Sequence, residues 1–144
     1  MSISTTAIRE EMRRRLIDAV GIDPQNSLQI ENETFDNLNK PFWIAEYCLG
    51  GVENSKSRFR SRINGFLIQY DCICPEGQGT SGVDELCYKI SKAFDLNDPA
   101  KSCFCIGNLD IKLSSVSIER KTYSANYAKS VLISLDISTI PGAG

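Results

Sequence analysis

The strongest constraint on the fold is a strict alternation of apolar and polar residues near the C-terminus. The apolar members are Val131, Ile133, Leu135 and Ile137, and Ser130, Ser134, Asp136 and Ser138 lie between and around them. Successive side chains of a strand point to opposite faces of a sheet, so this segment is predicted to be a strand with one buried face. The same pattern predicts strands over residues 28–30, 42–49, 63–74, 103–106 and 109–118. The phase of the alternation changes at Ser114 and Ser115, which predicts a β-bulge.

Two segments instead repeat their apolar residues at helical spacing. Residues 6–20 carry the stripe Ile8, Met12, Leu16, Ala19 and Val20, and residues 81–94 carry the stripe Val83, Leu86, Cys87, Ile90, Ala93 and Phe94. The sequence therefore predicts an α+β fold in which two helices pack on one curved, mostly antiparallel sheet, in the order α-β-β-β-α-β-β-β. We expect a single domain over residues 1–144, with a loose tail at 139–144.

The residue types exclude several kinds of function. The 144 residues include no histidine, which removes Ser-His-Asp and Cys-His catalysis, and the carboxylates form no close pair by spacing. A formal charge of −2 gives no overall electrostatic drive toward nucleic acid. The N-terminus has no apolar signal segment, and no stretch reaches the ~20 apolar residues that span a bilayer. We therefore expect a cytosolic protein with reduced thiols, no catalytic residues, no membrane partner and no sequence-specific nucleic acid.

One motif resembles a dinucleotide-binding turn. Gly77, Gly79 and Gly82 fit the pattern GxGxxG between a predicted strand and a predicted helix. The later segments give no repeated βαβ unit, and Glu76, Asp84 and Glu85 place negative charge where a pyrophosphate would bind. We interpret the motif as a glycine-rich turn and expect no cofactor.

The six cysteines allow three interpretations, namely core packing, a metal site and a redox pair. Cys72 with Cys74, and Cys103 with Cys105, lie at alternate positions of predicted strands, and a tetrathiolate zinc site is one alternative. Structural zinc sites more often use C-x₂₋₄-C spacing, and free cysteine is among the most buried residue types. We favour core packing and expect no metal. The polar segment 50–57 is interpreted as a long hairpin loop and a candidate mobile element.

Several segments together carry a resemblance to a known family. They are the pattern Ile8-Arg9…Met12…Arg15-Leu16, the strand 65–70, the turn Pro75-Glu76-Gly77-x-Gly79, the helix end Lys92-Ala93-Phe94, and the final strand 131–135 preceded by Arg120 and Tyr127. In their order along nearly the whole chain they resemble the tail terminator group of siphophages, which includes the lambda-like minor tail terminator and related small prophage tail proteins.

The resemblance implies a structural protein of virion assembly and no enzyme. Such a subunit forms a homo-oligomeric ring, a hexamer in the assembled tail, which caps the tail tube, stops its polymerisation and takes part in head-tail joining. Its partners are further copies of itself, the major tail tube protein and the head-completion protein, and it resides in the virion after assembly in the host cytoplasm. We expect the subunit and partner contacts at charged residues, namely Arg9, Arg13, Arg14, Glu53, Lys56, Arg58, Arg60 and Arg62. Two alternatives are a head-completion or neck adaptor subunit and a small thiolate metal-binding domain.

Overall fold

The structure, a computed structural model, describes residues 5–31, 33, 35, 40–50, 52–57, 60–77, 79–123 and 126–140. The elements in chain order are α1 (Thr6–Val20), α2 (Pro24–Ser27), β1 (Leu28–Ile30), β2 (Trp43–Leu49), β3 (Val52–Ser57), β4 (Arg60–Pro75), α3 (Ser81–Ala93), α4 (Pro99–Ser102), β5 (Cys103–Ile106), β6 (Leu109–Tyr123) and β7 (Asn126–Thr139). All eight predicted elements are present in the predicted order. The single-turn helices α2 and α4 and the strand β3 were not predicted.

The strands form one curled sheet in the order β1-β2-β4-β7-β6-β5, and β3 pairs with β4 beyond the end of β2. β1 and β2 are parallel, and the other described pairs are antiparallel. The α+β class and the mostly antiparallel sheet are therefore confirmed. The strands β2 and β3 keep one register against β4, from Trp43 opposite Ile73 to Val52 opposite Asn64. The arm, defined as residues 52–64 with β3 and the start of β4, thus continues the pairing of β2 with β4 beyond Leu49.

Two bulges curl the sheet around β7. The register between β4 and β7 shifts between Ile63 and Phe66, and Gly65 takes the left-handed conformation there, with φ 69°. The register between β6 and β7 shifts between Leu113 and Ser115, which confirms the bulge predicted from the change of phase. Both shifts lie next to Leu135 of β7. At this level the two neighbouring strands, β4 and β6, each contain one residue more than β7. Because a bulge increases local twist and bends its strand, this arrangement gives the sheet a concave and a convex face.

The helices fill the concave face. α1 contributes Ile8, Met12 and Leu16, and α3 contributes its predicted stripe; both pack on alternate residues of β4 and β7. Tyr70 is fully buried and stacks with Phe94, with ring centroids 6.4 Å apart. Gly21 ends α1 in the left-handed conformation, and its N–H donates to Ile17 O. A glycine in this conformation is common just past the end of a helix because it has no Cβ.

The convex face carries a smaller apolar cluster. Trp43, Ala45, Ile73 and Ala128 are buried there, with Phe35 and Tyr47 packed against them. Beside this cluster Asp71 is also buried, and it accepts hydrogen bonds from Ser130 Oγ and, at 2.8 Å, from Gln69 Nε2. The buried carboxylate is thus hydrogen-bonded within the sheet, as burial of a charge requires.

Two sequence predictions are corrected here. The predicted hairpin loop 50–57 is wrong for residues 52–57, which form β3 because the β2–β4 register continues through Ser55 and the pairing, after a shift, through Ser57. The strand β7 extends to Thr139, and the Ile140 N–H donates to Asn108 O at 2.8 Å, while residues 141–144 of the predicted tail lie outside the described residues. Among the described helices, none combines the length and apolar composition that a membrane crossing needs.

Candidate functional site

The predicted contact residues lie on two separate elements. Arg9, Arg13 and Arg14 are on α1, whereas Glu53, Lys56, Arg60 and Arg62 are on the arm. Arg58 lies outside the described residues, and the side chains of Glu53, Lys56 and Arg60 do as well. Arg62 is exposed at the base of the arm.

Arg13 and Arg14 of α1 pair with carboxylates of the chain, whereas Nε of Arg9 is buried without a hydrogen-bond partner among the described residues. Arg13 donates from Nη2 to Glu46 Oε2 at 2.6 Å and from Nε to both carboxylate oxygens at 3.2 and 3.3 Å, and Glu46 is fully buried on β2. Arg14, on the solvent side, pairs with Glu11 and Asp18. Burial alone lowers the pKa of Arg13, but the hydrogen bond and the charge of Glu46 outweigh it and leave that pKa raised. Arg13 therefore ties α1 to the sheet.

The arm concentrates positive charge. Residues 52–62 contain Lys56, Arg58, Arg60 and Arg62 against the single carboxylate of Glu53, which gives a formal charge of +3. Because the whole chain carries −2, the remaining residues together carry −5. A basic segment on an acidic body is electrostatically complementary to the body of another copy.

A cleft of about 260 Å³ lies at the base of the arm. It crosses the ends of three neighbouring strands and is lined by Arg62, Asn64, Asp110, Lys112, Asp136, Ile137 and Ser138. Asp136 Oδ1 also accepts a hydrogen bond from the Gly65 N–H at 3.2 Å, so the bulge positions this carboxylate. The cleft presents two cations and two carboxylates, a mixture that suits polar contact with another protein surface.

Sequence reasoning also missed the open outer edge of β6. β6 pairs with β7 along its whole length, whereas β5 pairs only with Leu109–Lys112. Within the described ranges no strand pairs with the outer edge from residue 113 to residue 120. Ile118 is 44% exposed on this stretch. The bulge at Ser114–Ser115 was a signal in the sequence, because bulges are frequent at sheet edges.

The glycine turn before α3 forms a second cleft, of about 310 Å³. Gly77 and Gly79 line this cleft with left-handed backbone conformations, at φ 92° and 80°. Arg120 and Tyr127 also line it, and the Arg120 guanidinium lies 5.4 Å from the centroid of the Tyr127 ring. Asp84, in the first turn of α3, pairs with Lys129 at 2.9 Å and accepts from Tyr127 Oη at 3.1 Å. The hydrogen bond from Lys129 holds the pKa of Asp84 below its ordinary value. A carboxylate thus stands at the α3 N-terminus, as the charge argument against a pyrophosphate anticipated.

Three of the six cysteines are buried, two are exposed, and Cys48 is half-buried. Cys72, Cys74 and Cys87 are buried between β4 and α3, which confirms their predicted core packing. The hydrogen bond with Cys87, together with burial, raises the pKa of Cys72. The prediction is wrong for Cys103 and Cys105, which are exposed on β5. The alternating residues Phe104 and Ile106 pack against the core, so the cysteines occupy the opposite face of β5.

Metal ligands do not cluster in the described part of the chain: no group of three or more cysteine, aspartate or glutamate side chains there is arranged to hold an ion.

Comparison with known proteins bears on the fold. No family model matches the chain, and no curated protein matches it. The chain is similar to a solved protein structure whose name states no function, with a TM-score of 0.71 and 17% sequence identity over 97% of this chain and 99% of the other. At this identity the likeness shows a shared fold over the whole domain.

Proposed function

We propose that this protein is a phage tail terminator: copies of it associate into a ring that caps the tail tube, stops its polymerisation and offers a surface to the head-completion protein. The proposal rests on the family resemblance of the sequence and on one property of the fold. Among the described strand edges that lack a partner, the outer edge of β3 and the outer edge of β6 lie on opposite sides of the sheet and differ from each other.

Unlike edges on opposite sides favour a head-to-tail contact between copies. In such a heterologous contact, one surface of each subunit binds a different surface of the next, and the assembly closes into a ring when the rotation per subunit permits. The opposite formal charges of residues 52–62, +3, and of the rest of the chain, −5, add an electrostatic attraction between copies.

The exposed apolar side chains also fit an assembly subunit. Leu49 is 60% exposed at the point where β2 leads into the arm, and Tyr88 is 59% exposed on α3. Isolated exposed apolar residues are normal on a soluble protein, but Leu49 lies beside the half-buried Leu67 in the next strand. Burial of this pair in an interface adds hydrophobic free energy to the electrostatic attraction.

The test combines the mass of the protein in solution with a tube assay. Sedimentation velocity over a wide concentration range, with electron microscopy of the same samples, is expected to show rings. Added to polymerising tail tube protein, the chain is expected to stop elongation and to appear at one end of each tube. Binding to a portal assembly instead of to tubes would favour the neck adaptor alternative. A monomer at every concentration that leaves tube length unchanged would contradict the proposal.

A matched pair of variants separates arm charge from total charge. R60E/R62E reverses two cations of the arm, and K89E/K92E reverses two on the exposed side of α3, so both change the formal charge by −4. The arm variant is expected to lose rings and tube capping, while the α3 variant retains them. Equal behaviour of the two variants would show that the arm has no particular role.

A further inference from the structure

The two unpaired edges carry a more specific inference. We propose that β3 of one copy pairs with the outer edge of β6, residues 113–120, of the next copy, so that the sheet becomes continuous across the subunit boundary. This inference deepens the proposed function and rests on it, because it names the contact by which the ring closes.

The first argument is the state of the β6 edge. A strand edge presents unpaired N–H and C=O groups, and proteins usually shield such edges with bulges, charges or covering segments. Here the bulge at Ser114–Ser115 protects one end of the unpaired stretch. Beyond it, residues 116–120 pair regularly with β7, and no described strand covers their outer edge. The edge therefore has a defined opening for one short strand.

The second argument is the apolar surface beside that opening. Val116 and Ile118 pair with Ile133 and Val131 of β7, so they share the concave face of the sheet. Val116 is half-buried and Ile118 is 44% exposed, because the helices cover this face incompletely at its β6 side. A strand added at the edge would cover both side chains and remove them from water.

The third argument selects β3 as the occupant. β3 has six residues and an outer edge to which no described strand pairs, whereas β1, on the same side of the sheet, has only three residues. Glu53 pairs in register with Ile63, which is buried on the concave face, and Arg120 of β6 pairs with Lys129 on that same face. In an antiparallel pairing that sets Glu53 opposite Arg120, residue 55 comes opposite Ile118, and the register of β3 shifts before Ser57. Opposite charges placed across two strands stabilise the pairing.

A second copy of β6 is the rival occupant. Two β6 edges related by a two-fold axis would give a closed dimer and leave β3 unpaired. The observations therefore favour β3, and the dimer becomes an outcome of the test.

Amide hydrogen exchange provides the direct measurement. The full chain is compared as assembled rings and as dilute subunits, and peptides covering residues 113–120 and 52–57 are expected to gain protection together on assembly. Rings in which residues 113–120 stay unprotected would overturn the β6 contact and leave the ring function standing. A dimer with protection at β6 alone would overturn the role of β3. Rings with both segments protected that do not cap tubes would support the contact and contradict the terminator function. A persistent monomer contradicts both.

Two sets of variants test the contact independently. S117P and I118P each remove one N–H, and because consecutive N–H groups of a strand point to opposite sides, one of the two faces the open edge. The variant that retains the wild-type melting temperature is the informative one, and it is expected to assemble about tenfold more weakly, which corresponds to about 1.4 kcal/mol.

The charge pair supplies the second set. E53R and R120E are each expected to weaken assembly, and the double variant E53R/R120E to recover it. This recovery is the signature of a direct contact, because it does not follow from a loss of stability in either single variant. Additive losses in the double variant would contradict the proposed pairing of Glu53 with Arg120.

Discussion

Removal of Arg13 should destabilise the domain much more than removal of the neighbouring Arg14. Glu46 lies beneath α1 with none of its side chain exposed, and Arg13 donates three hydrogen bonds to it, between 2.6 and 3.3 Å. In the R13A variant the carboxylate remains buried without its cation. Breaking a buried ion pair in this way costs about 3–5 kcal/mol.

The geometry places the expected loss near the lower end of that range. The Arg13 side chain is 22% exposed, so water can enter along the path that the guanidinium leaves and solvate part of Glu46. We therefore expect R13A to lower the free energy of unfolding by about 3 kcal/mol, a large part of the 5–15 kcal/mol typical of a domain. E46Q should cost less, about 1 kcal/mol, because the amide oxygen still accepts a hydrogen bond and the guanidinium reaches solvent.

Urea unfolding followed by circular dichroism measures all the variants under one condition. R14A is the matched control, because Arg14 is on the solvent side of the same helix and pairs only with Glu11 and Asp18. Its unfolding midpoint is expected to remain close to that of the wild type. The double variant R13A/E46Q should lose less stability than the two single variants added together, because the pair interacts directly. An R13A midpoint equal to that of R14A, or strict additivity in the double variant, would refute the reasoning.

Two further predictions concern the thiols and the β4 bulge. In the native protein at pH 8 a thiol reagent should modify Cys103 and Cys105 quickly and Cys48 slowly, since burial raises the pKa of Cys48 to about 11 and the thiolate is the reactive form. The modification rate of Cys48, followed by peptide mass spectrometry, should rise with pH up to that value. A Cys48 rate that no longer changes above pH 8 would contradict the prediction. G65A should lower the free energy of unfolding by about 1–2 kcal/mol because φ is 69° there and no atom lies near the added Cβ, so the cost is conformational. G50A, also without a close neighbour but without a positive φ, is the control, and equal unfolding midpoints for the two variants would show that the bulge tolerates a side chain.

Local periodicity accounts for what the sequence could predict about the fold. The stripes of α1 and α3 and the alternation in β4 and β7 were each readable within one segment, and each element formed where its pattern lies. The bulge at Ser114–Ser115 was readable for the same reason, because an inserted residue changes the phase of the alternation. Segment 52–57 has no such pattern, and it became a strand only because the β2–β4 register extends to it.

The features of the candidate site depended on packing between distant segments. An alternation tells which residues share a face, but it does not tell which face the rest of the chain covers. For this reason Cys103 and Cys105 were predicted in the core although Phe104 and Ile106 occupy it. The same limit applied to Glu46, whose position beneath α1 is set by a contact across 33 residues.

The sequence by itself thus determined one α+β domain built from two amphipathic helices and a set of alternating strands, without histidine chemistry. Only the tertiary structure decided which strand edges have no pairing strand, that Arg13 forms an ion pair with Glu46, and that the arm extends the pairing of β2 with β4. The physical reason is range: periodicity depends on neighbours along the chain, whereas pairing and burial depend on which segments meet after the chain has folded.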